Sequence, residues 1–137
     1  MKFSAREQYG LRVMVELARH YGAGPVSLSQ VAESEDLPLP YLEQIVGRLR
    51  ESRLLDSSRG AKGGYHLAKS PQEVTVGDVC RALEGAIVPI PCVEEGSGAQ
   101  CERKGICAAR NVWETVHARL VDVLDSMTLA SLVEGQA

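Results

Sequence analysis

The segment from Pro38 to Leu67 constrains the fold more than any other part of the chain, because a helical repeat is followed at once by a hairpin pattern. Its first half has apolar residues at three- and four-residue spacing, which collects them on one face of an α-helix. These are Leu42, Ile45, Val46 and Leu49. The opposite face carries hydrogen-bonding groups and one glycine, namely Glu43, Gln44, Gly47, Arg48 and Glu51. We therefore expect a helix with one face in a core and one polar face outward.

Two short strands are predicted directly after this helix, at Leu54–Ser58 and at Tyr65–Ala68. The glycine-rich connection between them is typical of a hairpin turn. Such a turn needs its glycines but not the two cations that it also carries, Arg59 and Lys62. A helix with a polar face followed by a hairpin with a basic tip is the pattern of a winged helix-turn-helix, which reads the major groove with the helix and contacts the backbone or minor groove with the wing.

The charge distribution agrees with a DNA-binding segment on an acidic body. The whole chain has a formal net charge of -3. Residues 38–69, however, carry six cations against three anions, whereas residues 70–137 carry five against ten. We expect Tyr41, Glu43 and Gln44 to face base edges or adjacent phosphates, with Arg59 and Lys62 at the wing. Glutamine can pair with adenine, and glutamate can accept from cytosine while repelling phosphate, so Glu43 is a candidate for sequence selectivity.

The remaining elements are predicted to be helical. Residues 4–21 have one apolar stripe, consisting of Gly10, Val13, Met14, Leu17, Ala18 and Tyr21. Ser27 with Gln30 and Thr75 with Asp78 have the spacing of capping boxes that begin two further helices. The second of these helices has an apolar face that includes Cys80, so we expect this thiol to be buried.

A long helix is predicted from Ala108 to about Ser126, followed by a short one from Leu129 to Glu134. The apolar residues of the long helix are separated alternately by three and four positions, which forms a heptad seam. The seam consists of Trp113, Val116, Leu120, Val123 and Met127, with a second flank at Val112 and Leu124. We interpret it as a dimerisation helix, because two copies of such a DNA reader usually occupy two half-sites. The alternative is an amphipathic helix that packs only on its own subunit.

Three cysteines lie close together in a glycine-bearing stretch, Cys92, Cys101 and Cys107. A structural zinc site favours closely spaced cysteine pairs, which are missing from this stretch. Wider gaps suit an iron-sulfur cluster. A disulfide switch or a reactive thiol is the competing interpretation.

Several of these motifs together resemble the IscR-like iron-sulfur regulators of the BadM-type winged-helix family, whose relatives include NsrR and RirA. The resemblance is carried by Tyr41 to Gln44, Leu49-Arg50, the wing, the three cysteines and the tail from Thr128 to Val133. It implies a homodimer that binds double-stranded promoter DNA and holds a cluster near the dimer interface, with 2Fe-2S favoured and 4Fe-4S possible. IscR relatives have a histidine three residues after the third cysteine, where this chain has Arg110. Candidates for a fourth ligand are Glu7 and Gln8 of a second copy, and Glu94, Glu95, Glu102 and Asn111 of the same chain.

The expected fold is mainly α with a small β-hairpin. We divide it into a winged helix-turn-helix domain at 1–85, a cluster-binding loop at 86–107, and a dimerisation helix with tail at 108–137. No nucleotide loop or nucleophile with a base is present, so an enzyme is not expected. No apolar run approaches the length of a membrane span, so a cytoplasmic location is expected. The alternative function is a cluster-free regulator of the same fold that senses thiol redox state or a small ligand.

Overall fold

A computed structural model describes residues 3–61, 63–87 and 108–135. The mainly α architecture with one small hairpin is confirmed. In chain order the elements are α1 (Ala5–Arg19), α2 (Leu28–Glu35), α3 (Leu39–Glu51), β1 (Leu55–Ser58), β2 (Gly64–Leu67), a 3-10 turn (Pro71–Glu73), α4 (Val76–Glu84), α5 (Arg110–Ser126) and α6 (Leu129–Glu134). The helix predicted over residues 4–21 ends two residues early. The first strand begins one residue later than predicted, and the second is displaced by one residue towards the N-terminus.

Capping boxes begin four of the helices, because each N-cap hydroxyl accepts from a backbone N–H that has no partner within the helix. The predicted boxes at Ser27 and Thr75 are both formed. The structure adds two more, with Ser4 before α1 and Thr128 before α6. Four boundaries are therefore set by local sequence, which explains why the order of elements could be predicted.

The main core lies where α1, α3 and α4 meet the base of the hairpin. The predicted inner face of α3 is confirmed, since its four apolar residues are all buried. The inner face of α1 is confirmed except at Tyr21, which is exposed and was wrongly assigned to the stripe. The reason is that α1 ends at Arg19 with His20 as its C-cap, so Tyr21 lies beyond the helix.

The hairpin is held against the body by a third extended segment. Leu55 pairs with Leu67 at its base and Ser58 with Gly64 at its tip. The Tyr65 amide donates to the Val26 carbonyl at 2.8 Å, and the Val26 amide donates back to Tyr65 at 2.9 Å. A Cβ at Gly64 would clash with the Val26 carbonyl. The wing is consequently a fixed element whose orientation depends on glycine at that position.

The C-terminal elements pack back onto the first part of the chain. A second apolar cluster joins α4 to α5 and is formed by Val76, Cys80, Ile87 and Leu124. Leu129 of α6 is fully buried in the main core. A β-bridge between Thr75 and Thr128 connects the segment before α4 to the segment before α6. Within the described residues, no helix combines the length and apolar character needed to span a membrane.

Candidate DNA-binding interface and cysteine region

The outer face of α3 is accessible along most of its length. Glu43 and Gln44 are both exposed. A Cβ built at Gly47 would have no atom within 4 Å, so this position leaves open space beside them. The carboxylate and the amide that we expect to face base edges thus lie on a surface that a groove could approach closely.

Tyr41 differs from its two neighbours because its ring also takes part in internal packing. The ring meets Tyr9 of α1 edge to face, with centroids 5.9 Å apart. The Arg12 guanidinium lies over the Tyr9 ring, 5.4 Å from its centroid. Tyr41 is half-buried. Any DNA contact by this residue would therefore come from the part of the side chain that packing leaves accessible.

Arg48 has a structural partner that its place on the polar face did not indicate. Its Nη1 donates to the Leu83 carbonyl, at the C-terminal end of α4, at 3.0 Å. Nothing in the local spacing could have identified this contact, because the two residues are 35 positions apart. Arg48 thus joins the candidate DNA-reading helix to the helix that precedes the cysteine stretch.

The tip of the wing presents Arg59 as an exposed side chain. Lys62, the second cation predicted there, lies outside the described residues. Two further cations are exposed, Arg50 in the last turn of α3 and Arg53 just after its C-cap. The described part of the helix and wing therefore places several positive side chains on one continuous stretch of chain, as phosphate binding requires.

Cys80 is buried, as predicted, with 5% of its surface exposed. Burial raises the pKa of its thiol to about 12, and the neighbouring Glu7 carboxylate contributes in the same direction. The thiolate, which is the nucleophile and the metal ligand, is thereby disfavoured. Cys80 is a packing residue of the α4–α5 contact.

The three predicted cluster ligands, Cys92, Cys101 and Cys107, lie outside the described residues, as do Glu94, Glu95 and Glu102. Within 3–61, 63–87 and 108–135, no three His, Cys, Asp or Glu side chains are grouped so that they could hold a metal ion. The Ile87 carbonyl is 3.2 Å from His117 Nε2 of α5. Ile87, five residues before Cys92 in the sequence, is thus in contact with α5.

Some candidates for the fourth ligand lie within the described residues, and they differ in exposure and in the hydrogen bonds that their side chains already form. Glu7 accepts from the Ser4 amide at 2.9 Å as part of the α1 cap. Gln8 is exposed and uses its Nε2 to donate to the Phe3 carbonyl, which leaves its amide oxygen as the possible ligand atom. Asn111 is exposed on the first turn of α5. Arg110, in place of the relatives' histidine, forms an ion pair with Glu114 and has no lone pair to offer.

Among the residues that the structure describes, part of the α5 seam packs against the same chain and part remains exposed. Leu120 and Met127 pack against the second apolar cluster, and Leu124 is buried in it. By contrast, the following side chains remain exposed: Val112, Trp113, Val116 and Val123. Exposed apolar side chains that follow one helix face indicate a surface for association with another molecule.

Comparison with known proteins agrees with this geometry. The family model Rrf2, described as an iron-dependent transcriptional regulator, matches residues 3–135. The transcriptional regulator CymR of Bacillus subtilis is 41% identical over 99% of this chain and 94% of its own length. IscR of Escherichia coli is 33% identical, with 99% of this chain and 82% of the relative covered.

Solved structures of transcriptional regulators also superimpose on this chain. The structure of CymR, described as the global cysteine regulator of B. subtilis, superimposes with a TM-score of 0.80 and covers 98% of this chain and 97% of its own, at 40% identity. IscR of T. potens gives a TM-score of 0.81 at 38% identity, with 100% of this chain and 89% of that chain covered. The resemblance to IscR-like regulators is confirmed, and these relatives are DNA-binding regulators and not enzymes. The chain belongs to the Rrf2 family of transcriptional regulators.

Proposed function

We propose that this regulator binds promoter DNA as a homodimer and senses iron-sulfur or redox status through a cluster held by Cys92, Cys101 and Cys107. The observation that carries the proposal is that these three cysteines fall, in sequence, between the end of α4 and the start of α5. The first of these helices contacts the candidate DNA-reading helix through Arg48, and the second exposes the candidate pairing surface. Target genes for cluster assembly and a cytoplasmic location are part of the proposal.

For DNA recognition, α3 would enter the major groove and the wing would contact the adjacent backbone or minor groove. The exposed Glu43 and Gln44 are the candidates for base contacts, and Arg59 and Lys62 are the candidates at the wing. Tyr41 would contribute from the edge of the interface, since Tyr9 covers part of its ring. In this arrangement the cations supply affinity, while the carboxylate and the amide select sequence.

The donor set fits an iron-sulfur cluster. Three thiols from one short stretch supply three ligands, and such clusters are held mainly by cysteine thiolates. The fourth ligand would be an oxygen or nitrogen donor, because Arg110 cannot serve and Cys80 is buried with a raised pKa. A bound cluster would supply sensitivity to oxidants and to iron supply. A fourth ligand other than thiolate would make it easier to lose or tune.

Dimerisation through α5 would bring two winged helix-turn-helix domains together. The exposed residues Val112, Trp113, Val116 and Val123 lie on the predicted seam. Their burial against a second copy would remove apolar surface from water, which is the main favourable term in association. The dimer would then engage two half-sites at once, with a gain in apparent affinity.

A second candidate function is favoured by the similarity to CymR. A relative described as a cysteine regulator is 41% identical to this chain. This supports a cluster-free regulator in which the same thiols sense redox state, or in which a small ligand controls DNA binding. The two candidates make opposite predictions about iron content.

The decisive experiment is anaerobic purification of the full chain with a visible spectrum, iron and sulfide determination, and titration of promoter DNA. We expect iron and sulfide in the wild type, and loss of both in Cys92→Ala, Cys101→Ala and Cys107→Ala. Cys80→Ala is the matched control and should keep the cluster. Iron that survives loss of any loop cysteine but disappears with Cys80 contradicts the ligand assignment. A colourless, iron-free wild type that still binds DNA supports the second candidate.

A further inference from the structure

Two arginines from different helices converge on the last turn of α4. Arg48 of α3 donates to the Leu83 carbonyl at 3.0 Å, and Arg6 of α1 reaches the same oxygen at 3.4 Å. This carbonyl belongs to the last turn of a helix, where C=O groups have no partner within the helix and the dipole favours positive charge. The end of α4 is thus a junction at which α1, α3 and α4 are joined through one backbone oxygen.

The side chain of Leu83 fixes the same turn from the inside. It is fully buried in the main core together with Ile45 of α3. The next residue, Glu84, accepts from the Ser4 hydroxyl at 2.8 Å and lies 3.6 Å from the Arg6 guanidinium. The last turn of α4 therefore cannot shift without disturbing contacts to both α1 and α3.

This junction lies close in sequence to the proposed cluster ligands, since Cys92 follows Leu83 by nine residues. Gly85 ends α4 with a φ of 83°. Ile87 follows, buried in the α4–α5 cluster and with its carbonyl near His117. Ile87 is four residues after Leu83 and five residues before Cys92 in the sequence. A displacement of Ile87 would reach Leu83 through three exposed residues, 84–86, because both ends of this short segment are buried.

We propose that Arg48 is a positioning residue that transmits the state of the cysteine stretch to the DNA-reading helix. Its side chain holds the C-terminal half of α3 at a fixed place relative to the end of α4. Movement of Leu83 changes where α3 presents Glu43 and Gln44. This inference rests on the proposed function for its input, since it assumes that cluster loading alters residues that follow Ile87.

The competing role for Arg48 is a simple phosphate contact, because it lies on the polar face of α3. The two roles predict different salt dependence. A cation that neutralises a phosphate releases counterions, so its loss weakens binding in every state and reduces the salt slope by about one. A positioning residue changes the difference between two states and leaves the number of phosphate contacts unchanged.

The test compares wild type with Arg48→Met, using the full chain in its cluster-loaded and cluster-free forms. Affinity for one promoter duplex is measured at several salt concentrations. Arg50→Met is the matched control, because it removes an exposed cation from the same helix. Arg6→Met is a second variant, because Arg6 contacts the same carbonyl from α1, outside the proposed DNA-binding residues, and it keeps the test informative if Arg48→Met fails to fold.

We expect the affinity ratio between the two forms to fall towards equality in Arg48→Met, with an unchanged salt slope, and to fall less in Arg6→Met. Arg50→Met should keep the wild-type ratio. Equal weakening of both forms with a smaller slope would identify a phosphate contact and overturn the inference. An unchanged ratio in Arg48→Met and Arg6→Met would also overturn it. Equal affinity of both forms in the wild type would refute the proposed sensing function itself, a result that is distinct from the others.

Discussion

Arg81 and Asp125 form a two-point ion pair that joins α4 to α5, with Nη1 2.8 Å from Oδ1 and Nη2 2.9 Å from Oδ2. Thr75 also donates to Asp125 Oδ1, at 3.5 Å. The helices approach closely here, because a Cβ at Gly77 would clash with the Asp125 carboxylate. The proposed pairing helix is thereby fixed in angle against the DNA-binding body.

Asp125→Asn should lower the free energy of unfolding modestly, by about 0.5 to 1 kcal/mol at neutral pH, since the pair is partly exposed to solvent. The hydrogen bond from Arg81 holds the pKa of the Asp125 carboxyl below its usual range. A lowered native pKa stabilises the fold above the unfolded pKa of about 3.9, and this contribution disappears as pH falls through the native pKa. Thermal unfolding of both proteins between pH 7 and pH 3 measures the difference, which should shrink with acid.

Asp122→Asn is the matched control, because Asp122 is an exposed carboxylate on the same helix. It should unfold like the wild type across the same pH range. A stability difference for Asp125→Asn that stays constant to pH 3 would mean that the carboxylate charge is not responsible.

Arg59→Ala should weaken DNA binding by about 1 to 3 kcal/mol and leave the fold intact, because an exposed side chain at the tip of the wing contributes little to the core. Titration of a promoter duplex, together with a melting curve, measures both effects. Lys69→Ala removes an exposed cation beyond the hairpin and serves as the comparison. Wild-type affinity in Arg59→Ala would place the wing outside the interface.

Glu43→Ala should have a different effect and broaden the set of sequences bound. Its carboxylate repels phosphate and can accept from cytosine, so removing it relieves repulsion and loses discrimination. Binding to a library of randomised duplexes measures this breadth. Glu51→Ala, an exposed carboxylate at the end of the same helix, should retain the wild-type preference. A uniform loss of affinity for every sequence would assign Glu43 a structural role.

Val123→Glu should convert the proposed dimer to a monomer and reduce DNA affinity. Val123 is 52% exposed, so the substitution leaves the subunit's own core intact while placing a carboxylate in the proposed interface, where a buried charge is costly. Leu120, at the centre of the predicted seam, is less suitable because it packs against its own subunit. Light scattering reports the mass. Ala118→Glu, at another exposed position of α5, should leave it unchanged, and a Val123→Glu protein that stays dimeric would place the pairing surface elsewhere.

Cys80 should resist alkylation in the folded protein at neutral and moderately alkaline pH, because burial raises the pKa of its thiol to about 12. The raised pKa stabilises the fold fully below the ordinary thiol value of 9.0, and this contribution is lost progressively as pH rises towards about 12. Mass spectrometry after a timed alkylation measures the labelling. Urea-unfolded protein is the control and should label rapidly at Cys80. Rapid labelling of the native protein would show that the α4–α5 contact opens readily.

The sequence predicts those features that depend on neighbours along the chain. The capping boxes at Ser27 and Thr75 each depend on two residues three positions apart. The inner face of α3 depends on apolar residues that recur every three or four positions. Both were found because a helix brings such residues together wherever it lies. Tyr21 marks the limit of this reasoning, since the apolar repeat continues past Arg19, where the helix ends.

Features that depend on distant contacts could not be predicted. Arg48 has the same local pattern whether it faces water, DNA or the end of α4, and only the packing of α3 against α4 brings it to Leu83. The seam of α5 is a second example, because its apolar residues share one repeat but differ in burial. The packing of α5 against α4 places Leu120 and Leu124 in the second apolar cluster while Val116 and Val123 remain exposed.

The bridge between Thr75 and Thr128 has a consequence for the operator that the proposed dimer would recognise. The bridge connects the residue before α4 to the residue before α6, and α5 lies between these two helices in the sequence. Both α4 and α6 contribute buried residues to the main core of the DNA-binding part. Two such bodies joined through α5 would keep a constant separation and could not rotate to follow altered half-sites. Each inserted base pair turns one half-site by about 34 to 36° relative to the other, given about 10 to 10.5 base pairs per turn. Operator strength should therefore oscillate with spacer length and recover only after a full helical turn has been added.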